Sequence, residues 1–360
     1  MTGYLITGRP VPTTHQTCTD QRFSRVPTLQ LPKRLQGRGT QIIGRYGHPC
    51  MLTTLEQSAP GWRSRLWADR WIYLFLVPTV VLIGTFTVYP VLASLWFSLL
   101  DWNGFGSAGA FVGLANYQEL WGDRLFWNAF SNTLVFLAFA VPLRVGLALF
   151  LAVILNATFP LVRVFRTAIF LPVVTTAAIV GVVMRYVLDP TSGPINLVLL
   201  NSGILDQPVN FLGRSSTALY AAIGIWVWKW LGVTLIYWLA ALQTIPRDVY
   251  EAAEVDGANP LYRFFYITLP MLTPFTIIIT LITVIEATNV FDLMLTLTGG
   301  GPFYGTEVID IFVYRQAFTA NIPRLGYASA AAIFFGVCFA AIAAVQAVAL
   351  IKFRARRRSS

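Results

Sequence analysis

Six apolar segments, over 71–100, 128–155, 167–188, 216–242, 270–298 and 326–351, leave this chain little choice of fold. A run of roughly 18 or more apolar residues is long enough to cross the hydrocarbon of a bilayer as a helix. Backbone in hydrocarbon must satisfy its polar groups internally, which a helix does. Each segment reaches that length with room for tilt. A soluble core of unusual composition is the competing reading, and charge decides against it. Only 12% of the 360 residues are charged and 56% are hydrophobic, whereas a soluble domain carries about 25% charged residues. The expectation is an all-α, polytopic membrane protein. Pro78, Pro90, Pro142 and Pro172 fall inside or at the edges of spans, where neighbouring helices re-satisfy the freed carbonyls.

The net charge of +10 raises the question of an anionic partner, and its distribution answers it. Basic residues gather in the first seventy positions and in the tail Lys352, Arg354, Arg356, Arg357 and Arg358, outside the apolar segments. No motif supports nucleic-acid binding. With the amino terminus inside, the inner flanks hold Arg63, Arg65, Arg70, Arg163, Arg166, Arg247, Arg263 and the tail; the outer loops hold Arg124, Arg214, Arg315 and Arg324. That bias places both termini in the cytoplasm. Residues 1–65 are basic and proline-punctuated, without apolar period, and are expected to be disordered. They lack the apolar stretch of a cleavable signal peptide. A start at Met51 is a further expectation, overturned by a peptide from residues 1–50 in the purified chain. Residues 66–352 form the six-helix domain and 353–360 a basic cytoplasmic tail.

Several chemistries drop out at once. Cys18, Cys50 and Cys338 are odd in number and have no metal-ligand spacing. His15 and His48 are the only histidines, and both precede the first span, so no histidine-based centre exists in the membrane region. Gly299-Gly300-Gly301-Pro302 must form an irregular turn, and the Lys-Ser/Thr of a phosphate loop does not follow it. No metal, cofactor or nucleotide site is expected. The segment 101–127 carries Trp102, Tyr117, Trp121 and Trp127, an aromatic belt for the outer interface.

The loop between the fourth and fifth spans, 247–270, is the most informative. Asp248 supports the first turn of a short helix over 247–256, and Ala252 and Ala253 propagate it. Gly257 is placed to end it in a left-handed conformation. Asn259-Pro260 opens a second helix carrying Tyr262, Phe264 and Phe265, and Pro270 marks the entry to the next span. The result is an acidic, aromatic helical knob on the inner membrane face.

Glu251-Ala252-Ala253, then Gly257, then nine residues to Ile267-x-Leu269-Pro270, resembles the EAA loop of permease subunits of binding-protein-dependent ABC importers. The resemblance extends over residues 66–352. It includes Phe111-Val112-Gly113-Leu114-x-Asn116-Tyr117, and Phe291-Asp292 leading to Thr298-Gly299-Gly300-Gly301-Pro302, features similar to the sugar and glycerol-phosphate branch and to the first permease subunit of maltose-type transporters. It implies the six-helix type I importer fold in a bacterial inner membrane. It also implies partners: two ATP-binding subunits, a second homologous permease and an extracytoplasmic solute-binding protein. Glu251, Ala252, Ala253, Gly257, Ile267, Leu269 and Pro270 would then couple the chain to the ATPase, with Glu251 facing a basic residue of that partner. A merely solvated Glu251 is the bland reading.

Candidates for the solute pathway lie in two spans. Trp226, Lys229 and Trp230 share one face of the fourth, while Trp228 points away. A mid-membrane lysine faces a partner or a wet cavity, and aromatic rings beside a hydrogen-bond donor suit sugar rings. The fifth span offers Thr283, Glu286 and Asn289 on one drifting stripe. A structural Lys229–Glu286 ion pair is the competing reading, because buried charges normally pair. Thr175 and Thr176 read as helix-packing hydroxyls, Arg185 as a snorkelling interfacial residue, and Arg144 has no evident partner. The expected activity is alternating-access import of a sugar, with ATP hydrolysed by the partners and none by this chain. Glycerol-3-phosphate or a glycerophosphodiester is the alternative solute. A secondary transporter or channel is the alternative class, and it has no use for an EAA loop.

Overall fold

The computed structural model describes residues 70–106, 109–156 and 160–359, and the reading of residues 1–65 lies outside them. The chain is helical with one two-stranded exception. Helix α1 (Arg70–Ile83) passes through a π-turn, Gly84–Val88, into α2 (Tyr89–Phe97). Strands β1 (Leu100–Asp101) and β2 (Ala110–Phe111) pair antiparallel, Leu100 opposite Phe111. Buried Asn116 in α3 (Ala115–Gly122) fastens this turn, its Nδ2 donating to the Ser98 and Leu100 carbonyls at 2.9 and 3.0 Å. The Phe111–Tyr117 segment is thus a local clasp, completed by Tyr117 Oη donating to Ser98 Oγ at 2.8 Å.

Helix α4 (Arg124–Leu155) begins where the Asp123 carboxylate accepts from the Leu125 amide, a side-chain N-cap. At its far end Arg166 Nη2 donates to the Leu155 carbonyl at 2.6 Å, as a basic residue near a helix C-terminus should. Then come α5 (Val162–Val174), α6 (Ala177–Val187), α7 (Pro194–Asn201) and α8 (Ser215–Leu242). The α5–α6 pair, bent by 102°, stands where the third span was expected. After α8 follow α9 (Arg247–Val255), α10 (Pro260–Arg263), a π-turn over Phe264–Thr268 and α11 (Leu269–Thr288). Helices α12 (Phe291–Leu297) and α13 (Ile309–Tyr314), a third π-turn over Arg315–Thr319 and α14 (Leu325–Ser359) complete the chain. The backbone of α14 runs without a break into the tail.

Five helices are long and apolar enough to cross a membrane among the described residues, and the bent pair makes six if it counts as one span. Helix α8 sits at the centre. Its Trp226, Leu235 and Trp238 are buried with Phe136, Val145 and Ala148 of α4, and Trp238 Nε1 donates to the Val145 carbonyl at 3.1 Å. By contrast, no residue of the 18-residue apolar window within Leu74–Phe97 is buried, so that span relies on lipid or another subunit for cover.

Candidate functional site

The 247–270 loop folds as its sequence specifies. The Ala258 amide donates to Ala253 O at 2.9 Å and the Gly257 amide to Glu254 O at 3.0 Å, the paired bonds of a Schellman cap. Gly257 has φ +77, and a Cβ there would meet nothing within 4 Å. Glycine is therefore required for its backbone angle and not for space. Asn259 then caps α10, its Oδ1 accepting from the Tyr262 amide at 2.7 Å. Glu251, Ala252, Gly257 and Pro270 are exposed, while Ala253, Ile267 and Leu269 are half-buried toward the bundle. Val255, Leu261, Tyr262, Phe265 and Tyr266 are exposed beside Glu251, and the Tyr262 and Tyr266 rings stack with centroids 4.3 Å apart. Among the described residues nothing covers this acidic and aromatic surface.

Inside the bundle the charges pair differently from the expectation. Lys229 does not meet Glu286. It is buried, with its Nζ 2.7 Å from the Thr175 carbonyl and 4.2 Å from the Trp230 ring centroid. Thr175 ends α5 and Thr176 caps α6, accepting from the Ile179 amide, and both are exposed. These threonines are therefore the break in the third span and not packing hydroxyls. Bending a span frees carbonyls that water would otherwise satisfy, and the lysine ammonium supplies a donor for one of them.

Glu286 pairs with Arg144, the residue without an evident partner in the sequence: Nη1 to Oε2 is 2.7 Å. The guanidinium is fully buried and lies 4.9 Å over the Trp226 ring, a cation–π contact in a dry setting. Trp226 is buried too, edge-on to Phe136, so its ring packs the core and holds Arg144. Thr283 is buried, its hydroxyl returned to the Ile279 carbonyl at 2.8 Å. Of the candidate pathway residues, Asn289 reaches an open space. It lines a cavity of about 480 Å³ with Phe291, Asp292, Asp310 and Phe335, at the end of α11 remote from the α9–α10 hairpin. Burial pushes the Asp310 carboxyl up to about 6, and the Val290 amide pulls the other way. Among the described residues no group of His, Cys, Asp and Glu side chains could hold a metal ion.

Sequence reasoning missed a second built cluster. The glycine-rich run forms an irregular turn in which Phe303 and Tyr304 have φ of 49 and 59. Asn132 Nδ2 holds it by donating to the Tyr304 and Glu307 carbonyls, both at 3.0 Å. The turn buries Glu307, whose Oε1 lies 2.8 Å from Arg315 Nη2, and Arg315 in turn covers the Tyr304 ring. Only chain order near the turn signals it.

The fold defines a class: a multi-pass helical membrane protein with an exposed helical hairpin between α8 and α11. No family model matches the chain. It is 34% identical over 290 residues to the lactose transport system permease protein LacF of Rhizobium radiobacter, covering 79% of this chain and 93% of that protein. It is 31% identical over 265 residues to the sn-glycerol-3-phosphate transport system permease protein UgpA of Yersinia pestis bv. Antiqua, covering 73% and 88%. Among solved structures, a bacterial ABC transporter involved in import of the acidic polysaccharide alginate has the same fold. Its TM-score is 0.68 at 24% identity, over 81% of this chain and 98% of that one. A bacterial alginate ABC transporter in complex with an alginate pentasaccharide-bound periplasmic protein gives 0.67 at 26% identity, over 80% of this chain and 95% of that one. The chain belongs to the ABC importer permeases, in the branch that holds the sugar and glycerol-phosphate permeases. It is accordingly a multi-pass membrane protein with the importer permease fold.

Proposed function

We propose that this chain forms half of the membrane pathway of an ATP-driven importer for a neutral sugar. An extracytoplasmic binding protein delivers the solute, and a second, homologous permease completes the pathway. Two ATP-binding subunits drive the cycle through the α9–α10 hairpin. Both chain termini then lie in the cytoplasm, on the hairpin's side of the membrane, as the basic flanks require. The observation that carries the reading is the hairpin itself. A capped helix with exposed Glu251 and an exposed aromatic face is preformed for docking, so little ordering entropy opposes the contact. ATP binding and release on the far side of that contact would then bias inward-facing and outward-facing states of the bundle.

The solute class rests on charge. Relatives are named for lactose, for glycerol-3-phosphate and for acidic alginate. Here the cavity near Asn289 carries the carboxyls of Asp292 and Asp310 between two phenylalanine rings. Carboxylates accept hydrogen bonds from hydroxyls and repel phosphate or uronate, while the rings suit the apolar faces of a sugar. Lys229, the cation that would favour a phosphate, is already engaged with Thr175.

The test uses the assembled transporter in proteoliposomes. Glu251→Lys and Gly257→Asp should leave the chain in the membrane and abolish solute-stimulated ATP hydrolysis. Unchanged uptake in both variants removes the docking role. A binding protein from the same system that prefers a phosphorylated or acidic solute removes the neutral-sugar assignment.

A further inference from the structure

How the hairpin transmits force to the bundle depends on its fastening, and the fastening is narrow. The covalent path from α9 to α11 runs through Gly257 and the Phe264–Thr268 π-turn. Glycine in a left-handed turn is the backbone's most permissive residue. A π-turn carries an inserted residue and marks places where helices shift register. Neither is a stiff connection. The Arg263–Glu254 ion pair, at 3.3 Å with Glu254 largely exposed, adds little stiffness.

One partly buried polar link bypasses both. Tyr250, directly before Glu251, packs its ring against the bundle core, and its Oη lies 2.9 Å from Thr268 Oγ1. Thr268 is buried and is the last residue of the π-turn. Its hydroxyl donates to the Arg263 carbonyl, five residues back, at 3.3 Å. A hydroxyl has a single proton. Either hydroxyl of the Tyr250–Thr268 pair is placed to donate, and with the Thr268 proton on the Arg263 carbonyl the tyrosine supplies it. The tyrosine therefore closes a chain that runs from α9 through the side chain that staples the π-turn to the entry of α11. Among the described residues it is the one side-chain hydrogen bond between α9 and the segment 264–288.

We propose that Tyr250 and Thr268 are positioning residues for energy coupling: their hydroxyl pair locks the π-turn, so that α9 and α11 move as one lever. The proposal rests on the docking role of α9 given above. Without the pair, a push on Glu251 is absorbed at Gly257 and in the π-turn instead of reaching the pathway end of α11.

Tyr250→Phe keeps the ring and Thr268→Val keeps the shape, each deleting one hydroxyl. In proteoliposomes containing the whole transporter, uptake and ATP hydrolysis are measured together, and co-purification of the ATPase subunits is measured separately. Each single variant should co-purify normally yet move roughly fivefold less solute per ATP, the effect of about one hydrogen bond on a two-state element. The double variant should be no worse than either single, and Thr268→Ser should restore the ratio. An unchanged ratio in Tyr250→Phe, or a double-variant loss equal to the product of the singles, overturns the lever. If Thr268→Val fails to accumulate, Tyr250→Phe and Thr268→Ser decide. Failure of the unaltered chain to co-purify with the ATPase is a different outcome, because it removes the docking reading and the lever together.

Discussion

Removing either member of the Arg144–Glu286 pair should destabilise the chain, but by unequal amounts. The Arg144 side chain is 0% exposed and that of Glu286 30% exposed. Glu286→Leu leaves a guanidinium with no other hydrogen-bond acceptor among the described residues. A guanidinium does not give up its proton in a protein, so the charge stays. Breaking a buried pair in this way costs about 3–5 kcal/mol, and the Trp226 contact, present with and without Glu286, cancels from that difference. Arg144→Met orphans the carboxyl instead, which is partly exposed and so less fully desolvated than the guanidinium. That loss should be nearer 1–3 kcal/mol, the cost of an unsatisfied polar group. The double variant replaces the pair with apolar side chains and should recover most of both losses. The assay is reversible unfolding of the purified chain in mild detergent on titration with sodium dodecyl sulfate, followed by circular dichroism. If Arg144→Met costs as much as Glu286→Leu, or if the double variant loses the sum of the singles, the charge-pair account is wrong.

Glu307 carries a pH prediction. Burial pushes its carboxyl from 4.5 up to about 7, with the Arg315 guanidinium pulling the other way. In that window the folded chain holds a proton that the unfolded chain has released, so this group's contribution is full below 4.5 and is lost as pH rises to about 7. Thermal stability should fall over that range and Glu307→Gln should flatten the slope; equal slopes in the two proteins refute the assignment. Gly181→Ala should destabilise the α6–α12 contact by about 1–3 kcal/mol, because a Cβ there runs into Thr296 Oγ1 and lies 3.0 Å from the Leu293 carbonyl. Thr296→Ala should rescue part of that loss in the same thermal assay, and an unaltered midpoint in Gly181→Ala would show the contact to be loose.

What was legible in the sequence was what neighbours along the chain decide. Span length follows from uninterrupted apolar runs, and five of the six expected spans appear as single helices. The α9–α10 hairpin was readable to the residue, because Gly257 and Asn259 act on amides and carbonyls within five positions of themselves. The third span was readable as apolar but not as bent. Its bend is stabilised by Lys229, a residue from a different helix that satisfies the carbonyl the break exposes.

The sequence by itself therefore determined the class of protein, the spans and the shape of the α9–α10 hairpin, all products of local backbone satisfaction and apolar period. The tertiary structure alone decided how charges and hydroxyls pair. Lys229 in the middle of α8 and Glu286 near the end of α11 are of opposite sign, yet helix packing aims one at Thr175 and the other at Arg144. Tyr250 finds Thr268 only because α9 folds back onto the start of α11. Periodicity fixes which residues share a face, but the neighbour that face meets is set by how helices pack, and in a low-dielectric interior that neighbour decides what a charge does.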